Sequence, residues 1–278
     1  MRLEVTEHGE VERQSSEGEI EEQGRQPQGW QPGEQPLQRQ LAGTALQRFH
    51  ASSPELCQYV ADVSGDTCFL SFSAGKDSIA AWIQIRRYFK RVIPFYLYLV
   101  PGLEFIEAGI KYYEDFFQTE IMRLPHPSFW RMLRQFVYQP PERCPIIEEA
   151  NLPNWDYRKL EAYVRSKSDA PDAFVAIGSR TADSPIRLAN MKRFGTLTPA
   201  RRSFFAVYDW KIDDVVRELR AVNCKLTVDY RMFGRSFDGI DYRFLAPISQ
   251  WYPRDYARIL EWLPLAELQI FRREKMSR

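Results

Sequence analysis

Cysteine is scarce in this 278-residue chain: Cys57, Cys68, Cys144 and Cys224 are the only four, and no two lie close together. Without a Cys-x-x-Cys pair, neither a compact zinc knuckle nor a dithiol redox pair is written here, and the sparse thiols predict a reduced, cytoplasmic protein. No window approaches the ~18 uncharged apolar residues of a membrane span. The N-terminus also lacks the basic and apolar regions of a signal peptide, so the expectation is an unexported chain without membrane contact. No internal repeat is visible. Net charge is small at +1, but it is unevenly spread: residues 1–45 carry nine glutamates against four arginines, which leaves 34 cations against 28 carboxylates in the rest. Residues 1–42 are rich in Glu, Gln, Gly and Pro, have Trp30 as their one aromatic, and show no sustained periodicity. They are predicted to be a disordered polar tail in front of a basic folded part.

With 44% hydrophobic and 14% aromatic residues, the remainder can bury a substantial core. Residues 42–63, with a Ser-Ser-Pro-Glu start at 52–55, predict a helical lead-in. The apolar runs at 67–72, 92–100, 120–124, 173–177 and 203–208 read as strands. Helical spacing of apolar residues follows at 79–87, 105–119 and 211–222. Strand alternating with helix, and strands apolar on both faces, predict a doubly wound, mainly parallel α/β sheet. The stretch 128–170 is less regular, with helices expected near 129–136 and 157–164, and reads as a wall beside a ligand crevice. Residues 226–278 read as helical, with loops at 233–241 and 248–253.

The chain is organised around the small polar stretch that joins the first strand to its helix, Ser71-Phe72-Ser73-Ala74-Gly75-Lys76-Asp77-Ser78. A strand-to-helix turn puts unpaired backbone N–H groups at the positive end of a helix dipole, which favours a phosphate. Gly75 lets the backbone approach closely and Lys76 adds a mobile charge. A Walker A loop is excluded, because Leu70 stands where its first glycine is needed and Asp77 where a Ser or Thr must follow the lysine. A second anion-binding cluster follows the fourth strand: Gly178, Ser179, Arg180, Ser184 and Arg187. A guanidinium suits phosphate because its planar fork makes two charge-assisted hydrogen bonds at once.

The stretch from Ser73 to Ser78 resembles the pyrophosphate-binding loop of the ATP pyrophosphatases (PP-loop proteins), and especially the Ser-x-Gly-Lys-Asp-Ser version of the phosphoadenylyl sulfate (PAPS) reductase family. Gly178, Arg180, Ser184 and Arg187 match that family's Gly-x-Arg-x-x-Glu/Gln-Ser-x-x-Arg stretch, with Asp183 in place of the longer residue. Asp209-Trp210 through Asp214-Val215 is similar to its Asp-Trp-x-x-x-Asp-Val segment, where Asp209 is expected to cap a helix and Trp210 to sit in the core. Ala74 replaces the usual glycine, which is tolerable if its φ is negative. The resemblance implies an adenine nucleotide alpha hydrolase-like fold: a PP-loop domain over 43–225 with a helical extension over 226–278 packed on it.

It also implies an enzyme that binds ATP with Mg²⁺ and activates an acceptor at the α-phosphorus, releasing AMP or pyrophosphate. Ser71, Ser73, Ala74, Gly75, Lys76, Asp77, Ser78, Gly178, Ser179, Arg180, Ser184 and Arg187 would hold the nucleotide. Lys76 and Asp77 would be catalytic, and Asp77 a metal ligand. The family's C-terminal Glu-Cys-Gly-x-His nucleophile is missing, and so are paired cysteines for an iron–sulfur cluster, so no cluster is expected. Sulfonucleotide reduction would need Cys144 or Cys224 as an unconventional nucleophile. The basic pairs Arg86-Arg87, Lys192-Arg193 and Arg201-Arg202 leave room for a nucleic acid, in a DNA-modification system, as partner beside the nucleotide. A partner protein and a second copy of the chain stay open too.

Overall fold

A computed structural model describes residues 52–276, so the predicted polar tail and the start of the helical lead-in lie outside the described residues. The first helix among the described residues, α1 (Ser53–Ser64), opens on a capping box: the Ser52 hydroxyl accepts from the Glu55 amide while the Glu55 carboxylate accepts from Ser52 N–H at 2.7 Å. There follow β1 (Thr67–Phe72), α2 (Lys76–Ile85), β2 (Arg91–Tyr98), α3 (Glu104–Phe117) and β3 (Met122–Pro125). The less regular stretch holds α4 (Pro127–Arg134), α5 (Cys144–Glu149) and α6 (Tyr157–Ser166). Next come β4 (Phe174–Ile177), α7 (Pro185–Phe194), β5 (Leu197–Thr198), β6 (Ser203–Phe205) and α8 (Ile212–Ala221). The chain closes with α9 (Val228–Phe233), α10 (Tyr242–Trp251), α11 (Pro253–Trp262) and α12 (Leu268–Met276).

The six strands form one sheet in the order β3-β2-β1-β4-β6-β5, parallel throughout except for β5, which runs antiparallel to β6. This is the doubly wound α/β sheet that the alternation of elements predicts. Side-chain alternation along β1 sends Cys68, Leu70 and Phe72 to the larger core, where Trp82 and Tyr113 are fully buried, and Phe69 to a second core with Phe95, Val175 and α6 residues Leu160 and Val164. The C-terminal helices join the larger core. Phe105 of α3 meets Phe233, Phe237 and Tyr252, and the buried Asp255 carboxylate accepts from Glu104 N–H (2.7 Å) and Phe105 N–H (3.1 Å) at the start of α3. Among the described residues, no helix is long and apolar enough to cross a membrane.

Local differences from the sequence reading have local causes. The strand expected over 203–208 ends at Phe205. The two-residue β5 is too short to leave a periodic signal. The loop expected at 248–253 shrinks to Tyr252, because α10 runs on to Trp251 and Pro253 sits at the first turn of α11, where its missing N–H costs nothing. Asp209 does not cap the helix after it. Its carboxylate takes the Ser53 N–H (3.1 Å) and the Ser53 hydroxyl at the head of α1, while Lys211 holds the cap position of α8. Trp210 is buried as expected.

Candidate functional site

Strand order reverses between β1 and β4: β2 and β3 lie on one side of β1, and the chain then crosses to β4 on the other. In parallel sheets the crevice beyond the carboxyl ends at such a point is where ligands fit. Because Leu70 pairs with Ala176 and Ser71 with Ile177, the turn after β1 and the turn after β4 emerge side by side at this edge. Gly178 makes the closeness possible: a Cβ there would come within 2.7 Å of the Asp77 carbonyl oxygen and 2.8 Å of the Ser78 Cα.

The first turn is built from its own serines. The buried Ser78 hydroxyl donates to the Gly75 carbonyl (2.9 Å) and accepts from Ser73 N–H (3.2 Å), with the Ser73 hydroxyl 3.1 Å away. Ser78 therefore shapes the turn, and Ser71 stands inside β1 below it. The first amide of α2 with a carbonyl one turn back is Ile79, which donates to the Gly75 carbonyl. Asp77 and Ser78 are left to supply the orphan donors of a helix N-terminus, since the Lys76 N–H is taken by a hydroxyl from elsewhere in the chain. The expectation of a negative φ at Ala74 is overturned: its φ is 54°, whereas Gly75, at −81°, is not left-handed. The position that bends the chain is thus the one where the resembled loop has glycine.

Left-handed backbone costs an L-residue about 1–2 kcal/mol. Ala74→Gly would relieve that cost, but it would free the unfolded chain by about 0.4–1 kcal/mol and give up about 0.8 kcal/mol of methyl burial. Stability should therefore stay within about 1 kcal/mol. Ala74→Val, a β-branched residue in a left-handed and buried position, should lose at least about 2 kcal/mol. Urea denaturation of both variants checks this, and a Val variant as stable as the parent would contradict the assigned backbone.

Charge is concentrated between the turns. Lys76 Nζ is 2.7 Å from Asp77 Oδ2, and Arg180 Nε is 2.8 Å from Asp77 Oδ1. Neither atom of the second pair makes an aligned hydrogen bond, although both are buried. Arg180 is only 5% exposed, and its other two nitrogens are engaged as well: Nη2 meets Asp183 Oδ1 at 2.8 Å and Nη1 donates to the Trp210 carbonyl at 3.3 Å. Asp183 also accepts the Arg180 N–H (2.9 Å) and Arg187 Nη1 (2.6 Å). Burial pushes the Asp183 carboxyl upward, but the Arg180 amide and the two guanidiniums outweigh it and hold the group below its ordinary range. Arg187 is half exposed, and Ser184 accepts the Arg187 N–H (3.2 Å) as the cap of α7. Ser179 makes no side-chain hydrogen bond among the described residues. Three cations face two carboxylates, so these five side chains carry a net positive charge.

Two residues outside the sequence-read set reach this turn. Tyr230 of α9 accepts the Lys76 N–H at 2.8 Å, and Ser236 Oγ lies 3.3 Å from where a Gly75 Cβ would stand. Separated from Lys76 by 154 residues and part of no motif, Tyr230 left no signal to find. No group of three or more His, Cys, Asp or Glu side chains suited to a metal occurs among the described residues. Asp77 offers one carboxylate, which fits an ion carried in by phosphates and not a protein-built cage. Burial pushes the Cys224 thiol up to about 11, and Cys144 sits at the start of α5, its thiol 3.6 Å from the Pro140 carbonyl.

No protein-family model matches the chain, and no curated protein matches its sequence. Among solved structures, the chain is similar to the U34-tRNA thiolase NcsA from Methanococcus maripaludis with its [4Fe-4S] cluster (TM-score 0.43, 15% identity, 80% of each chain covered). It is also similar to the NH3-dependent NAD synthetase from Campylobacter jejuni subsp. jejuni in complex with the nitrate ion (TM-score 0.41, 10% identity, 84% of this chain and 96% of that one). At these scores the likeness carries no argument about activity.

Proposed function

We propose that the protein is a PP-loop enzyme, similar to the PAPS reductase family in its loop, that binds ATP or a related adenine nucleotide and activates an acceptor at the α-phosphorus. The observation that carries this reading is the meeting of the two turns at the switch point, where Arg180 of one touches Asp77 of the other at 2.8 Å. The pyrophosphate part of the nucleotide would rest on the free amides of Asp77 and Ser78 at the head of α2. Lys76 would leave Asp77 for the phosphate, and Arg180 would keep Asp77 in place as it does so. The acceptor attacks the α-phosphorus while the bond to pyrophosphate breaks, and transfer to a second nucleophile releases AMP. Mg²⁺ would arrive on the nucleotide, with Asp77 as its protein carboxylate, and would supply charge neutralisation.

Catalysis would come mostly from placing charge where the transition state develops it. Incubation with α-labelled ATP and candidate acceptors should give labelled AMP or an adenylate. Absence of both, with no heat of ATP binding, would end this reading. A sulfonucleotide reductase gains no support from Cys224, whose buried thiol is far from thiolate at neutral pH.

One feature favours a nucleic acid as the acceptor. Only Met191 of α7 is buried, Ile186 and Phe194 face solvent, and of the five cations in residues 184–208 Arg187, Arg201 and Arg202 pair with Asp183, Glu161 and Asp172, while Lys192 and Arg193 form no ion pair among the described residues. Retention on nucleic acid should then weaken as salt rises. Retention indifferent to salt would argue against it.

A further inference from the structure

Segment 227–237 is bound into a fixed arch by one buried carboxylate. Asp229, 2% exposed, accepts the Thr227 hydroxyl, the Tyr230 N–H (3.1 Å) and the Phe237 N–H (3.3 Å). Gly234, at φ 71°, turns the chain between Tyr230 and Ser236, and the rings of Phe233 and Phe237 anchor both arms against Phe105 and Phe244. The arch stands over Gly75. From that glycine's missing Cβ, the Ser73, Ser236 and Tyr230 hydroxyl oxygens lie at 3.2, 3.3 and 3.5 Å.

A phenol has one proton to give and two lone pairs to accept with. Tyr230 spends a lone pair on the Lys76 N–H, and among the described residues nothing accepts its proton. Ser236 likewise makes no side-chain hydrogen bond there. Two hydroxyl donors are therefore held above a helix N-terminus, one on the Lys76 amide and one over Gly75.

We infer that Tyr230 and Ser236 form the roof of the anion site and donate their hydroxyl protons to the pyrophosphate group seated on the residue 73–78 turn. The inference rests on the nucleotide-binding reading above. Tyr230 keeps its bond to the Lys76 amide while it donates, so the C-terminal part of the chain supplies ligand contacts and is more than a packing extension. Being neutral donors, the hydroxyls add no charge to a site that already holds three cations. They also orient phosphate oxygens without competing with Lys76.

The test is a calorimetric titration of the parent, Tyr230→Phe and Ser236→Ala with sodium pyrophosphate and with Mg·ATP, with melting curves of the unliganded proteins. Hydrogen bonds to a charged group are worth enough that each variant should lose roughly tenfold or more in affinity for both probes. Unchanged affinity in both variants overturns the roof. Tighter binding by Tyr230→Phe also overturns it, since Tyr230 would then be a plug on the Lys76 amide. If the phenylalanine variant melts lower, Ser236→Ala decides alone, because its hydroxyl makes no bond in the unliganded fold. A parent that binds neither probe overturns the site reading and the roof with it, whereas loss confined to the variants leaves the site reading standing and supports the roof.

Discussion

Arg180→Ala should lower the free energy of unfolding by about 3–5 kcal/mol, the cost of breaking a buried charge network from one side. The side chain is 5% exposed and touches Asp77, Asp183 and the Trp210 carbonyl at once. Its removal leaves two partly buried carboxylates facing a cavity. In a domain of this size the melting temperature should fall by about 6–20 °C. Arg180→Lys should recover little, because an ammonium cannot reach three partners that diverge around a planar fork. Arg187→Ala is the contrast: its half-exposed bridge to Asp183 should contribute no more than about 1 kcal/mol. Equal melting curves for the two alanine variants would contradict the division of labour between a buried clamp and an exposed arginine.

Lys76→Ala should do the opposite and leave the fold intact while weakening nucleotide binding. The ammonium is about 30% exposed at the mouth of the turn, and Asp77 keeps Arg180 as a partner when the lysine goes. No buried charge is orphaned, so stability should change by no more than about 1 kcal/mol. A charge-assisted contact to phosphate is worth about 1.5–3 kcal/mol, which raises the dissociation constant for Mg·ATP roughly tenfold to a hundredfold. Calorimetry on Lys76→Ala beside its melting curve separates the two quantities. Unchanged affinity would remove the lysine from the site.

The sequence carried the sheet and the two turns because both are local patterns. An apolar run, a Gly/Ser-rich stretch and a helical period follow each other within about twenty residues. What it could not carry was the third dimension of those motifs. Arg180 and Arg187 look alike in a motif, yet one is buried between two carboxylates and the other reaches solvent, which only the depth of the crevice decides. The left-handed φ of Ala74 depends on how β1 and α2 meet, and an alanine in the sequence argues against it. Tyr230 and Ser236 arrive from a stretch with no motif, brought to Gly75 by the aromatic packing of Phe105, Phe233 and Phe237. Asp209 was recognised as a capping residue, but the helix it holds lies about 150 residues earlier.

The central claim is that the phosphates of a nucleotide rest on the residue 73–78 turn, between the ends of β1 and β4. Amide chemical shifts of isotope-labelled protein, followed during titration with Mg·ATP, test it most directly. Saturable shifts centred on residues 74–78 and 178–180, absent or much weaker in Lys76→Ala, are the predicted result. A saturable response elsewhere, with these amides unmoved, would contradict it.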